Sequence, residues 1–397
     1  VGGAGPFALA QLRSAWIVVP TREDADHWVR ALRYFGAPAL LHPADDGRPW
    51  DGLSPHPDLP RQRLVAQAAG ASALVVAPAK SLLLRRPLPL DVRELKVGEE
   101  YDRAALLGWL GARGYLATQR VEEAGCWSVR GGVTDIWPTG AAAPVRIEWF
   151  DEEIASIRSF DPATQRGTTK RDSVRVLPAR EATLDAATAE RAAAYIHALA
   201  KERDIPPTER RRVLQDLRNG VWFPGAEDYL PALMDLAPVA PAAPLYVVEP
   251  DLVHAELRRF EEQVRARFDA MDPEDRPLVR PFDRYLPADE APLAGAIPVT
   301  SLVMDGAVGF ETRVTTTLKV GAGDLAPVAK QLRTWVKQGR AVTVVAESAP
   351  RAERLRALFE PHEMKFASGR AKPGELRLDV GDLPAGFASE EAVYVTA

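Results

Sequence analysis

In the string Val145-Arg146-Ile147-Glu148-Trp149-Phe150, the alternation of a strand puts Val145, Ile147 and Trp149 on one face. Arg146, Glu148 and Phe150 share the other. The first set has the composition of a core face. The second is charged yet ends in an aromatic, and an aromatic beside an arginine is the pairing enriched where proteins bind one another. Its chemistry is charge-assisted hydrogen bonding around an apolar anchor. Arg130 stands on the preceding strand candidate, just ahead of Gly131-Gly132, where the chain can bulge. If the two strands pair, Arg130 and Arg146 frame Phe150. The competing reading buries Phe150 against a neighbouring helix and leaves the arginines solvated.

Other chemistries fare worse. A nucleotide loop of the Gly-x-x-x-x-Gly-Lys-Ser/Thr type cradles phosphates on backbone N–H groups, neutralises them with lysine and holds magnesium through the hydroxyl. The nearest stretches, Gly2–Gly5 and Gly321–Asp324, lack both groups, and Asp324 would repel phosphate. Both read as turns. His42, Asp45, Asp46, Asp51 and His56 contain no His pair at helical spacing and are interleaved with prolines, so they read as a solvated loop rather than a metal site. Lys80-Ser81 follows a strand and reads as a helix start with Ser81 as N-cap. The single cysteine, Cys126, allows neither an internal disulfide nor a thiolate metal cluster. That fits a reducing cytoplasm. The 50 Lys and Arg are outnumbered by 55 Asp and Glu, which is not the basic excess of a protein that grips phosphate backbone.

The elements that position these residues follow from periodicity. A length of 397 residues exceeds one ordinary core and predicts two or three domains. No apolar run reaches the roughly 18 residues of a membrane span. The start has no basic region ahead of a hydrophobic stretch, so no signal peptide is visible, and the missing initiator Met suggests a fragment or a trimmed end. Ala15–Pro20 reads as a buried strand, and Thr21 with Asp24 as the cap of a helix to about Phe35. A second strand, Ala73–Ala77, makes the first 90 residues an α/β layer. Tyr101–Gly114 reads as a helix, and Val121–Phe160 as short strands separated by Gly-Gly, Pro-Thr-Gly and Asp-Glu-Glu turns. Helices are expected over Ala182–Lys201 and Glu209–Arg218, a strand over Pro244–Val248, and a helix from Asp251, as N-cap, to about Ala270. Pro273–Pro298 reads as a linker or irregular edge. A last α/β unit begins near Thr312, with helices Leu325–Gln338 and Ala349–Phe359 and strands Ala341–Ala346, Leu376–Val380 and Ala392–Thr396.

Three strings, Arg130–Pro138, Pro144–Ile154 and Arg158–Arg166, resemble the homology module shared by UvrB and the bacterial transcription-repair coupling factors (Mfd). Two more, Pro49–Leu64 and Trp222–Pro231, favour the coupling factors over UvrB. The resemblance covers most of residues 1–231 and beyond that rests on length and order. It implies an α/β multidomain fold: a degenerate RecA-like domain, residues 1–92 and 179–300, split by a small inserted antiparallel β (α+β) domain, residues 93–178, that binds UvrA. A linker, 301–311, and a second small α/β domain, 312–397, complete the expectation.

Carried over residue by residue, Arg130, Arg146 and Phe150 look like the family's UvrA contacts. The resemblance further implies a non-enzymatic, cytoplasmic recruiting module with no cofactor and no membrane partner. ATP, magnesium, and most contact with RNA polymerase and DNA would belong to domains downstream of residue 397, and the far C-terminal domain would cover the UvrA surface in the whole protein. The alternative, a UvrB-like ATP-dependent damage-recognition protein, needs a working phosphate loop and an aromatic β-hairpin. The run from Leu90 into Tyr101–Gly114 leaves no room for that hairpin. For residues 232–397 a plain scaffold role is the simplest expectation.

Overall fold

The computed structural model describes residues 3–87, 89–203, 207–271, 279–301, 312–315, 325–369 and 371–397. Expectations for Gly2, for linker residues 302–311 and for the Gly321–Asp324 turn lie outside them. After a short helix α1 (Ala4–Leu9), strand β1 (Ala15–Val19) is buried at every position, as in a strand covered on both faces. Helix α2 (Arg22–Tyr34) starts in a complete capping box. Thr21 Oγ1 accepts from the Asp24 N–H, and the Asp24 carboxylate accepts from the Thr21 N–H, so the shorter acid suffices. Ala25, Trp28, Val29 and Leu32 are its buried stripe. Then come β2 (Ala39–Leu41), α3 (Asp58–Ala69) and β3 (Leu74–Pro78).

Past β4 (Arg86–Pro87) and β5 (Arg93–Lys96), α4 (Arg103–Ala112) is capped by Asp102, whose carboxylate accepts from the Ala105 N–H at 2.9 Å. Six strands follow: β6 (Leu116–Ala117), β7 (Cys126–Arg130), β8 (Val133–Ile136), β9 (Val145–Phe150), β10 (Glu153–Phe160) and β11 (Gly167–Arg171). They form one sheet in the order β11-β10-β9-β8-β7-β6, antiparallel except for the β6–β7 pair. Strand β12 (Ser173–Val176) returns to pair with β5. Leu106, Trp109 and Leu110 of α4 pack on Ile136, Val145, Ile147 and Trp149 of the sheet.

Three helices follow, α5 (Ala186–Arg203), α6 (Pro207–Arg218) and α7 (Leu230–Leu233), and β13 (Leu236–Ala237) pairs with β4. Strand β14 (Leu245–Val248), helix α8 (Pro250–Asp269), a short α9 (Pro281–Arg284) and β15 (Ile297–Val299) then complete the sheet begun by β1. Its order is β15-β14-β1-β3-β2, with every pair parallel. The expected irregular edge thus includes a strand. The N-cap position of α8 is held not by Asp251 but by Glu249, in the left-handed region at φ +48° and without a side-chain capping bond. Pro250 presets the first turn, and Asp251 lies inside it, where its charge meets the positive helix end.

The last layer runs β16 (Arg313–Val314), α10 (Ala326–Lys337), β17 (Ala341–Ala346), α11 (Ala349–Phe359), β18 (Leu376–Val380), β19 (Phe387–Ala388) and β20 (Ala392–Thr396), in sheet order β16-β19-β20-β17-β18. It meets the first layer where the Tyr34 hydroxyl donates to Asp379 at 2.9 Å and the rings of Phe7 and Phe35 pack on Phe387 and Tyr394. Among the described residues, no helix is long and apolar enough to cross a membrane, and no cluster of His, Cys, Asp and Glu is arranged to hold a metal.

The His/Asp loop is solvated only in part: Asp46 and His56 are exposed and Asp45 and Asp51 half-buried, whereas His42 is interior. His42 is fully buried beside Ser81, which sits inside the 3-10 helix Ala79–Leu83 rather than capping a helix. Burial and the nearby Arg86 and Arg63 hold the His42 imidazole neutral, well below its ordinary pKa. Asp45 pairs with Arg63 at 2.8 Å and Arg284 at 3.4 Å, while Glu181 pairs with Arg63 at 2.6 Å and Arg86 at 3.1 Å. Asp45 turns inward where cations distant in sequence compensate its charge.

Asp228 behaves oppositely. Burial raises its carboxyl from 3.8 to about 7, and the attraction of Arg284 is offset by repulsion from Asp45, Glu227 and Asp51. Between about pH 4 and 7 the folded chain keeps a proton that the unfolded chain has released, so this contribution to stability falls as pH rises. Asp228→Asn is expected to flatten that fall and to gain on the parent, by a few kcal/mol at most, above pH ~7. Urea midpoints at mildly acidic and mildly alkaline pH measure it, and equal pH slopes in parent and variant would refute it.

Candidate functional site

Strand β9 divides as its alternation requires. Val145, Ile147 and Trp149 are buried, Arg146 and Glu148 are half-buried, and Phe150 is 76% exposed. The reading that buries Phe150 against a helix is therefore overturned. Its ring stays outside because β9 ends in a tight turn, Asp151-Glu152, with Asp151 at φ +58°. The turn is tied to the chain ahead of α4. Tyr101 N–H donates to Glu152 O at 2.9 Å, and Gly98 N–H donates to Ile154 O at 2.8 Å. An exposed aromatic is thus held on backbone fixed from two sides.

Arg130 ends β7, and Gly131-Gly132 is a two-residue hairpin turn rather than a bulge, since Arg130 pairs with Val133 across it. The bulge lies instead in β10, between Ile154 and Ser156. Gly131 adopts φ +56°, where a side chain with a branched Cβ is strained. Gly131→Val is expected to cost about 1–2 kcal/mol and to displace Arg130. Chemical denaturation reads the cost, and a variant as stable as the parent would contradict this account of the turn.

Strand β8 intervenes between β7 and β9, so Arg130 and Arg146 do not frame Phe150 by direct strand pairing. They converge on Asp135 of β8. Arg146 Nε donates to Oδ1 at 2.7 Å and its Nη2 to Oδ2 at 2.8 Å, a bidentate pair, and Arg130 Nη2 donates to Oδ2 at 3.0 Å. Asp135 is 1% exposed, so both cations are anchored from beneath. The Arg146 guanidinium also lies 4.8 Å from the centre of the Phe160 ring. Across β10 and β11, Arg158 stands opposite Arg146 and Lys170 opposite Arg158, which extends the exposed cationic row.

Sequence reasoning missed Asp135. The signal available was a carboxylate between Thr134 and Ile136, on the side of β8 that faces the same way as Arg146. The arrangement is suited to binding: two oriented guanidiniums, one bare aromatic and a rigid hairpin beneath them. Cys126, buried at the start of β7, has its thiol pushed up by burial and by Glu123, which disfavours the thiolate form.

Residues 94–181, which contain all of these groups, match the family model described as the UvrB interaction domain. The chain is 29% identical to the transcription-repair-coupling factor of Myxococcus xanthus over 90% of its own length and 34% of that protein. It is 28% identical to the Escherichia coli factor over 72% of its length and 25% of that protein. The Staphylococcus epidermidis factor matches 30% of the chain at 37% identity, across 10% of its own length. The chain therefore spans about a third or less of the length of these curated relatives.

Proposed function

We propose that this chain, which carries a UvrB interaction domain and is similar over nine tenths of its length to a transcription-repair-coupling factor, recruits the excision-repair protein UvrA to stalled RNA polymerase. The carrying observation is the outward face of β9, where bare Phe150 lies on the same face as Arg146, which with Arg130 is locked onto a buried aspartate. Arg130, Arg146 and Phe150 are the contacts in this reading, and Asp135 orients the two arginines. Recruitment is binding, so no cofactor enters it. Nucleotide hydrolysis, DNA translocation and polymerase contact are assigned to parts of the longer relatives that this chain does not span. Intramolecular cover of the same face by a C-terminal domain belongs to that assignment too.

A sheet whose strands come from both sides of the matched segment supports a degenerate RecA-like domain, 1–92 and 179–300, interrupted by the UvrA-binding insertion, 93–178, and followed by a linker, 301–311, and the small α/β domain, 312–397. The comparisons do not favour the UvrB-like ATPase alternative. Calorimetric titration of the whole chain into UvrA tests the proposal: a saturable complex is expected, and none at micromolar concentrations would overturn it.

A further inference from the structure

Arg86 is the least satisfied of the buried cations. Its Nη1 reaches Glu181, but among the described residues Nε and Nη2 have no partner although the side chain is 1% exposed. Those two nitrogens form the edge of a guanidinium that binds a carboxylate side-on. Arg63 uses that same edge on Glu181, at 2.9 and 2.6 Å. Arg63, Arg86 and Arg284 share the carboxylates of Asp45 and Glu181, with Asp228 also acting on Arg284, and among the described residues Arg86 pairs with Glu181 alone.

Beside Arg86 lies a cavity of about 150 Å³, lined mainly by apolar surface of Trp16, Ala66, Leu90 and Val239, with Gln67 at its edge. Trp16 Nε1 is a further buried donor with no acceptor among the described residues. An apolar cavity of about this volume accommodates a benzene-sized body. The proposed binding face on β9 makes no use of this site, which lies between α3, β1 and the segment after β13.

We propose that the cavity binds a compact monocarboxylate, an aromatic or branched aliphatic acid of about benzoate's size. Its carboxylate takes the free edge of Arg86, and its apolar body rests among Trp16, Ala66 and Val239. The bound anion gives the guanidinium donors acceptors, offsetting the desolvation cost of burying them unpaired. Burial, and then repulsion from Arg63, already pushes the Arg86 guanidinium down to about 9, which fits a guanidinium short of acceptors. Both the body and the charge are needed, which sets the selectivity.

Benzoate titrated into the full chain, followed by thermal unfolding and calorimetry, tests this. A saturable rise in midpoint is expected. Benzyl alcohol, of similar shape without the charge, and acetate, with the charge but no body, should bind roughly tenfold more weakly or less. Ala66→Leu fills the cavity from α3 and should abolish the benzoate effect without unfolding the chain. Arg86→Met should abolish it by removing the anchor, and if that variant does not fold, Ala66→Leu decides. No saturable benzoate effect, equal binding of benzyl alcohol, or benzoate binding that survives Ala66→Leu would each overturn the proposal.

Discussion

Replacing Phe150 with alanine is expected to weaken the complex with UvrA by about 1–3 kcal/mol, roughly 5- to 150-fold in Kd, while leaving folded stability within about 0.5 kcal/mol. The two halves of that expectation have one cause. A ring that is 76% exposed contributes little to the core, and in the proposed reading it acts against a partner. Arg146→Ala should weaken binding by a similar amount but also lower stability. It strips the bidentate partner from an interior carboxylate and leaves Asp135 to a single hydrogen bond from Arg130. Titration against UvrA and urea unfolding on the same two proteins separate the roles. Unchanged affinity in both would sink the assignment of this face.

Glu181→Ala should produce the largest loss of stability, about 3–5 kcal/mol, because it leaves Arg63 and Arg86 wholly interior and short of their shared anion. Burial raises the Glu181 carboxyl, but Arg63 and Arg86 outweigh it and hold it below its ordinary 4.5. A depressed folded pKa gives stability that is complete above the unfolded value and lost as pH falls through the folded one. The parent should therefore weaken below about pH 4.5 through this group, and Glu181→Gln should flatten that acid limb. The sign is opposite to that of Asp228, whose contribution is lost on the way up. Urea midpoints across acid pH measure the effect, and a variant as stable as the parent at pH 7 would show that the network does not depend on this anion.

Much of this was legible locally. The split of Val145–Phe150 into two faces, the Thr21–Asp24 cap and the five-residue apolar run of β1 are all short-range signals, and the structure follows each of them. What failed was partnership. Arg130-Gly-Gly-Val is a two-residue hairpin signature that places β8 beside β7, yet which strand lies between two arginines depends on turns and not on the arginines themselves. Asp135 went unnoticed for that reason. Asp45 looked solvated because polarity is judged against near neighbours, whereas its compensating cations arrive from α3 and α9, and His42 is buried neutral beside Arg63 and Arg86. Similarity to known proteins bears on the domain and its relatives. The proposed roles of Arg130, Arg146 and Phe150 come from the resemblance, and the geometry supports them.

The parallel sheet of the first layer has a temporal consequence. Trp16 finds Leu245 across more than half the chain, and β14 must emerge before the second edge of β1 can be covered. At ordinary synthesis rates that wait is on the order of 10 s. The hairpins between β7 and β10 close within about microseconds of emerging. The chain should therefore complete its middle before its beginning. Until β14 arrives, an apolar strand with one open edge is the part of the nascent protein most in need of a holding chaperone.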